Sequence, residues 1–189
     1  MARLLLYSCF FVFVLLQINC AKEYSFEGGG RPVVRDTIPV PVVINEFPIC
    51  PECVTNTGTA ISEWSFKSGN SVLCGTADTA IALGNRTAFT YFGPSSCSAD
   101  TGIVMTIYLE GDTLNRDRMN LPAKGAFYYY DRITPSYIFI SQSNNFISVT
   151  INRYIHQTRI AECSFQGAVL RTNGASASIT SGKFTVKLL

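Results

Sequence analysis

The segment Ser136–Ile155, SYIFISQSNNFISVTINRYI, decides the fold class of this chain. Two runs rich in Ile, Val, Tyr, Phe and Thr flank the polar tetrapeptide from Gln142 to Asn145. β-Branched and aromatic residues favour strands, and a short polar segment between two such runs is typical of a hairpin turn. We therefore predict two strands that pair with each other around Gln142–Asn145.

Short apolar runs separated by turn residues continue through most of the chain. They include AISEWSFK, TAIAL, TAFTYFG, GIVMTIYLEGD, GAFYYYD, IAECSFQGAVLRTNG and GKFTVKL. No stretch after Ile49 has a helical period of useful length. Regular short strands without crossover helices indicate antiparallel pairing. We predict an all-β fold, an antiparallel β-sandwich of immunoglobulin-like or jelly-roll-like type, with Trp64 and Phe66 in its core.

The composition limits the size of the fold and its partners. The chain has 189 residues, of which 47 % are hydrophobic, which is enough for one core. Only 15 % of the residues are charged, and the formal net charge is +2. A nearly neutral chain has no broad basic face, so we do not expect it to bind nucleic acid.

The N-terminal segment has the features of an export signal. Arg3 precedes an apolar run from Leu4 to Leu16, which is shorter than the roughly 20 residues that cross a bilayer. The segment 1–19 resembles a bacterial lipoprotein signal peptide, which implies that Cys20 is acylated and becomes the mature N-terminus. The lipobox is imperfect, because Gln17 and Asn19 occupy places where Leu and a small residue are usual. Ordinary secretion and an uncleaved anchor remain alternatives.

Both ends of the mature chain resemble one group of proteins. The start CAKEYSFEGGG and the ending AECSFQGAVL…NGASASITSGKFTVKLL are similar to uncharacterised Bacteroidetes lipoproteins with an all-β domain. The resemblance implies a fold and a location in the cell envelope, anchored to the outer membrane by lipid, on its periplasmic or its surface face. It implies no activity and no catalytic residues.

The segment between the proposed signal and the strand-rich region is rich in Gly and Pro. Gly28–Gly30 and four prolines favour a flexible to extended chain. We therefore predict three parts, namely a signal peptide at 1–19, a tether at 20–49 and a single β-sandwich domain at 50–189. An edge strand within PVPVVI is an alternative for part of the tether.

Five cysteines lie in the predicted domain. Cys50, Cys53, Cys74 and Cys97 are candidates for two disulfides, since export leads to an oxidising compartment, but their connectivity is not readable from the sequence. A zinc site made by the same four residues and a redox pair in CPEC are the alternatives. Cys163 lies within a strand pattern, and we expect it to be a free thiol close to Phe165 in the sheet.

The aromatic run FYYYDR is the candidate ligand-binding surface. Alternation places Tyr128 and Tyr130 on one face of a strand, and Phe127 and Tyr129 on the other. One pair should belong to the core, and the other should be exposed. Exposed tyrosines among Tyr128, Tyr129 and Tyr130 would suit a glycan or a protein partner, and the alternative is a half-buried aromatic ladder.

The sequence contains no recognisable catalytic set. His156 is the only histidine, and there is no Gly-x-Ser-x-Gly elbow. The acids that could support a hydrolase without histidine are Glu110, Asp112, Asp117 and Asp131. We expect no metal and no cofactor. The interpretation is a non-catalytic binding or structural module of the envelope, with an acid-based hydrolase and a zinc or redox protein as alternatives.

Overall fold

The computed structural model describes Phe47 and residues 50–133 and 136–189. The predicted signal peptide, Cys20 and all of the predicted tether except Phe47 lie outside the described residues. Within the described part of the chain, no helix has the length and apolar character required to cross a bilayer.

The described residues form one short helix and ten strands, which we number in chain order. The helix α1 is Glu52–Thr55, and the strands are β1 Glu63–Ser68, β2 Ser71–Thr76, β3 Thr79–Ala82, β4 Ala88–Pro94, β5 Thr101–Tyr108, β6 Arg118–Asp131, β7 Ser136–Ile140, β8 Ile147–Ile155, β9 Ile160–Arg171 and β10 Ser176–Lys187. β6 begins at Arg118, and Pro122 lies within it opposite Thr150 of β8. The run GAFYYYD is therefore the second half of a longer strand.

The ten strands belong to one antiparallel sheet. Its order is β2-β1-β10-β9-β7-β6-β5-β4-β3, with β8 paired to both β6 and β9. The predicted all-β antiparallel class is confirmed. Most strands that are neighbours in the sheet are also neighbours in sequence, so the connectivity is mainly a meander. Immunoglobulin-like and jelly-roll-like sandwiches have Greek-key connections, and the sequence pattern did not distinguish these from a meander.

The segment Ser136–Ile155 forms the two expected strands, but they do not pair with each other. β7 pairs with the end of β6 near Tyr129, and β8 pairs with the beginning of β6, both antiparallel to it. Both also pair with β9. The two strands therefore follow one another between the long strands β6 and β9, with the Gln142–Asn145 turn between them. The predicted hairpin pairing was wrong, because two longer strands supply partners along the whole segment.

The core lies between two halves of this one sheet. Phe66 of β1 contacts Phe127 of β6 with ring centroids 5.5 Å apart. Tyr91 of β4 contacts Phe184 of β10 at 4.5 Å. The two strands of each pair are four or five places apart in the strand order, so the sheet folds back on itself around an aromatic centre. The placement of Trp64 and Phe66 in the core is confirmed, since they are 0 % and 1 % exposed.

The two ends of the sheet meet beside Trp64. Gly75 of β2 forms an isolated bridge with Ser95, which follows β4. A Cβ atom on Gly75 would lie 2.6 Å from the Trp64 ring, and one on Gly93 would lie 2.5 Å from its Nε1. Only glycine fits at either position. Phe47, which belongs to the predicted tether, also packs on the core through the Phe139 ring at 5.5 Å.

Candidate functional site

The second half of β6 presents alternate side chains to the core and to the outside. Phe127 and Tyr129 are each 1 % exposed, whereas Tyr128 and Tyr130 are half-buried on the opposite face. Tyr129 is therefore a core residue and not part of a ligand surface. Its hydroxyl donates to Thr101 Oγ1 at 3.2 Å, and burial raises its pKa. Tyr128 and Tyr130 remain as ligand-binding candidates.

An open groove of about 570 Å³ lies on this outer face. We call it the aromatic groove. Its lining comprises Asp78, Phe92, Gly93, Pro94, Tyr128, Tyr130, Asp131 and Arg132. Three segments distant in sequence contribute to it, namely the β2–β3 connection, β4 and the end of β6. Its volume falls within the range that is usual for small-molecule sites.

The register of three strands brings the aromatic side chains together. Phe92 of β4 lies opposite Val104 of β5, and Val104 lies opposite Tyr128 of β6. Side chains opposite one another across a sheet point to the same face. Phe92 therefore lies on the groove side with Tyr128, and it is 44 % exposed although it is a large apolar residue.

Tyr130 lies directly over a glycine. Gly102 of β5 is its cross-strand partner, and Pro94 of β4 is the next residue in the same row. A Cβ on Gly102 would lie 2.6 Å from Tyr130 Cζ and 2.5 Å from the carbonyl oxygen of Gly93. The missing side chain leaves the space that the Tyr130 ring occupies against the sheet. Gly102 is therefore the positioning residue for Tyr130.

Charged groups of both signs line the aromatic groove. The Arg132 guanidinium lies 5.5 Å from the centre of the Tyr130 ring, within the range of a cation–π contact. Asp78 is exposed, and its Oδ1 accepts a hydrogen bond from Thr76 Oγ1 at 3.2 Å. Asp131 Oδ1 accepts the backbone N–H of Ile133 at 2.9 Å. The groove thus combines ring faces with carboxylate acceptors and a guanidinium donor.

The other candidate acids do not converge with Asp131. Glu110 forms an exposed ion pair with Lys124, with Oε1 and Nζ 2.6 Å apart. Asp112 pairs with Arg118. Asp117 Oδ1 accepts the backbone N–H of His156, whose side chain is exposed. These contacts account for the three carboxylates as partners of nearby cations or backbone, outside the aromatic groove.

The four clustered cysteines form two disulfides. Cys50 pairs with Cys97, and Cys53 pairs with Cys74. The presence of disulfides is confirmed, and the structure supplies their connectivity. They connect α1, and Cys50 two residues before it, to β2 and to the loop after β4. The cysteines therefore fix the start of the domain against the place where the sheet ends meet.

Cys163 lies apart from this cluster. It is the free cysteine of the described residues, it is 2 % exposed, and its strand neighbour Phe165 shares its buried face. Burial and the charge of Glu162 raise the thiol pKa well above its usual value. A protonated thiol is a poor nucleophile and a poor metal ligand, so Cys163 acts as a core residue.

Comparison with models of protein families, with curated proteins and with solved structures finds no match to this chain. The aromatic groove and the cysteine cluster are therefore the two features from which we infer function.

Sequence reasoning missed the members of the groove that lie outside FYYYDR. Phe92 lies in TAFTYFG, which reads as an ordinary strand, with Gly93 and Pro94 after it, and Asp78 lies in a connection. One feature of β4 indicates an exposed Phe92: it alternates with the buried residues Tyr91 and Gly93 and so lies on the outer face of its strand. That signal cannot show which other strand shares the face, since register between distant strands is a tertiary property.

Proposed function

We propose that this protein is a non-catalytic, lipid-anchored glycan-binding module of the bacterial cell envelope. The observation that carries the proposal is the aromatic groove, in which Tyr128, Tyr130 and Phe92 lie beside Asp78, Asp131 and Arg132. A protein partner for the same groove is the alternative within this proposal.

The chemistry of the groove suits a sugar ring. A pyranose has one apolar C–H face and a rim of hydroxyl groups. The Tyr130 ring, held against Gly102, offers a flat surface for the apolar face. The carboxylates accept hydroxyl hydrogens, and the guanidinium donates to ring and hydroxyl oxygens, which fixes orientation. The strands β4 and β6 keep the rings of Phe92, Tyr128 and Tyr130 in place before the ligand arrives, which reduces the entropy lost on binding.

The proposed location at the outer membrane comes from the sequence. A signal at 1–19, acylation of Cys20 and a Gly/Pro tether would hold the domain at the outer membrane, since two lipid signals already give stable anchoring. Labelled palmitate should enter the chain in a bacterial host, and Cys20→Ser should abolish the labelling. Equal labelling of both forms would contradict the anchor and would leave the binding proposal untouched.

The binding proposal is tested with the full chain, purified in mild detergent, on an array of bacterial and dietary glycans. Hits are then titrated by calorimetry. Tyr130→Ala should weaken binding about 10-fold or more, because loss of roughly 1.4 kcal/mol of contact energy corresponds to a factor of ten. Tyr108→Ala is the matched control, since Tyr108 is 42 % exposed on β5 and contacts Phe146 outside the groove.

Three outcomes would count against a glycan bound in the aromatic groove. They are the absence of any glycan hit, equal losses for Tyr130→Ala and Tyr108→Ala, and a hit that is insensitive to both. If envelope extracts instead yield a protein whose binding is lost with Tyr130→Ala alone, the partner is a protein and the groove is still the site.

The second candidate is a glycan hydrolase. The favouring observation is that two carboxylates, Asp78 and Asp131, line the same groove. Glycosidases use a pair of acids on either side of the bond that is cleaved. Release of reducing ends from a bound glycan, lost in Asp131→Asn with binding retained, would establish this activity in place of simple binding.

A further inference from the structure

The sulfur atoms of Cys50, Cys53, Cys74 and Cys97 all lie within 4.8 Å of one another. The two disulfides are thus in contact, and Cys53 Sγ lies 3.2 Å from Cys97 Sγ of the other bridge. Three of the four residues are buried, and Cys97 is half-buried. Reduction of both bridges would therefore leave four thiols close enough together to bind one metal ion.

We propose that, after reduction, these four cysteines form a tetrahedral tetrathiolate site for Zn²⁺. Zinc binds thiolates at about 2.3 Å, which places the four sulfurs of a tetrahedron about 3.8 Å apart. The bonded sulfurs must separate to reach this spacing, and the widest pairs must approach by about 1 Å. Rotations about the Cα–Cβ bonds supply displacements of that size without moving the backbone.

The backbone around the cluster is held by hydrogen bonds that do not involve sulfur. Ser95 Oγ donates to the carbonyl oxygen of Cys74 at 3.2 Å and accepts the N–H of Cys97 at 3.2 Å. The N–H of Ser96 donates to the same carbonyl at 3.0 Å, and the N–H of Cys53 donates to the carbonyl of Cys50 at 3.1 Å. After reduction, these hydrogen bonds still hold the backbone of Cys50 close to that of Cys53, and the backbone of Cys74 close to that of Cys97.

The two halves of the site are also joined to each other. Asn56, which follows α1, donates through Nδ2 to the carbonyl oxygen of Gly75 at 3.4 Å, next to Cys74. Its Oδ1 accepts the N–H of Gly58 at 2.9 Å, which fixes the turn after the helix. The chain thus keeps four potential ligands from three segments in one place when the sulfur–sulfur bonds are absent.

The oxidised and metal-bound states exclude each other. Two equivalents of a dithiol reductant supply four electrons and four protons, which convert two disulfides into four thiols. Zn²⁺ then replaces up to four protons, which are released to solvent, and leaves a site with a formal charge of −2. Glu52 Oε2 lies 3.3 Å from Cys50 Sγ and adds a further negative charge beside it. We therefore expect Glu52→Gln to bind zinc more tightly than the unsubstituted chain.

The test uses the full chain in mild detergent, reduced with a phosphine under anaerobic conditions and titrated with Co²⁺. The expected result is one Co²⁺ per chain with the visible bands of tetrahedral tetrathiolate cobalt, which Zn²⁺ then displaces. Cys97→Ala should lose these bands and weaken binding by more than about 100-fold, because changes to residues that only support a ligand already cost 10 to 100-fold. Cys163→Ala should bind as the unsubstituted chain does, and the oxidised chain should bind no metal at this site.

Several results would overturn the proposal. They are the absence of stoichiometric metal in the reduced chain, binding that survives Cys97→Ala, and binding that is lost with Cys163→Ala. If reduction unfolds the chain, Zn²⁺ should restore the circular dichroism of the strands, and failure to restore it also overturns the proposal. None of these outcomes depends on the aromatic groove, so the two proposals fail independently.

Discussion

Removal of either disulfide should destabilise the domain by an amount that the loop lengths set. The Cys50–Cys97 bridge spans 47 residues and encloses the Cys53–Cys74 bridge, which spans 21. While the Cys53–Cys74 bridge is intact, the chain between Cys50 and Cys97 has a shortcut through that bridge. The loop that the Cys50–Cys97 bridge closes is then only about 27 residues long. In the chain-entropy account of disulfides, a loop of that length contributes about 3.5 kcal/mol, and one of 21 residues contributes about 3.3 kcal/mol.

Two paired variants test these values, namely Cys50→Ala with Cys97→Ala, and Cys53→Ala with Cys74→Ala. Each should lower the free energy of unfolding by about 3 to 4 kcal/mol. Urea unfolding followed by fluorescence is suitable, because Trp64 is the only tryptophan, is fully buried and lies opposite Gly75, beside Cys74. Loss of both bridges should cost about 7 kcal/mol, which approaches the whole stability of many domains.

The two double variants also test whether the disulfides act by constraining the unfolded chain. If the bridges act on the unfolded chain, their removal should leave the ordered structure intact at low urea and should increase the urea dependence of unfolding, since a less constrained chain exposes more surface. If each double variant lowers the free energy of unfolding by less than about 1 kcal/mol, the entropic reasoning is refuted. A large loss for one pair with none for the other would also refute it, because the loop lengths predict nearly equal effects.

Two further predictions concern single residues. Gly102→Ala should displace Tyr130, weaken ligand binding about 10-fold or more, as Tyr130→Ala does, and lower the free energy of unfolding by about 1 to 3 kcal/mol. Gly84→Ala, with open space around it, should change neither quantity. Because burial raises the pKa of Cys163, the folded state keeps a proton that the unfolded chain loses above roughly pH 8.5. Stability should therefore fall as pH rises from there towards the folded pKa, and this fall should be smaller in Cys163→Ala. If the free energy of unfolding falls equally steeply with pH in Cys163→Ala, the fall does not come from the Cys163 thiol.

The sequence predicted the strands better than it predicted their partners. The alternation in AISEWSFK placed Trp64 and Phe66 in the core, because side chains of a strand repeat with a period of two whatever the strand pairs with. The same local rule separated Tyr128 and Tyr130 from Tyr129, but it left open which pair is buried. It failed for Ser136–Ile155, since a turn between two strand patterns indicates a hairpin only where no longer strands compete for them.

The candidate sites show the same division. The cysteine content indicated bridges, but the pairing of Cys50 with Cys97 followed from a sheet whose ends meet at Gly75 and Ser95. Tyr128 and Tyr130 were visible as candidates, but the groove also needs Phe92, which is brought beside them by two registers across β5. Such contacts join residues far apart in sequence, and no local pattern records them.

The sequence by itself determined the all-β class, the residues able to form strands and the residue types able to form bridges, because these depend on local propensity and on side-chain chemistry. Only the tertiary structure decided which strands are neighbours, which cysteines meet and which aromatic side chains share a surface. Those choices depend on burying a single continuous core between the two halves of one sheet, and that free energy belongs to the whole domain rather than to any segment of it.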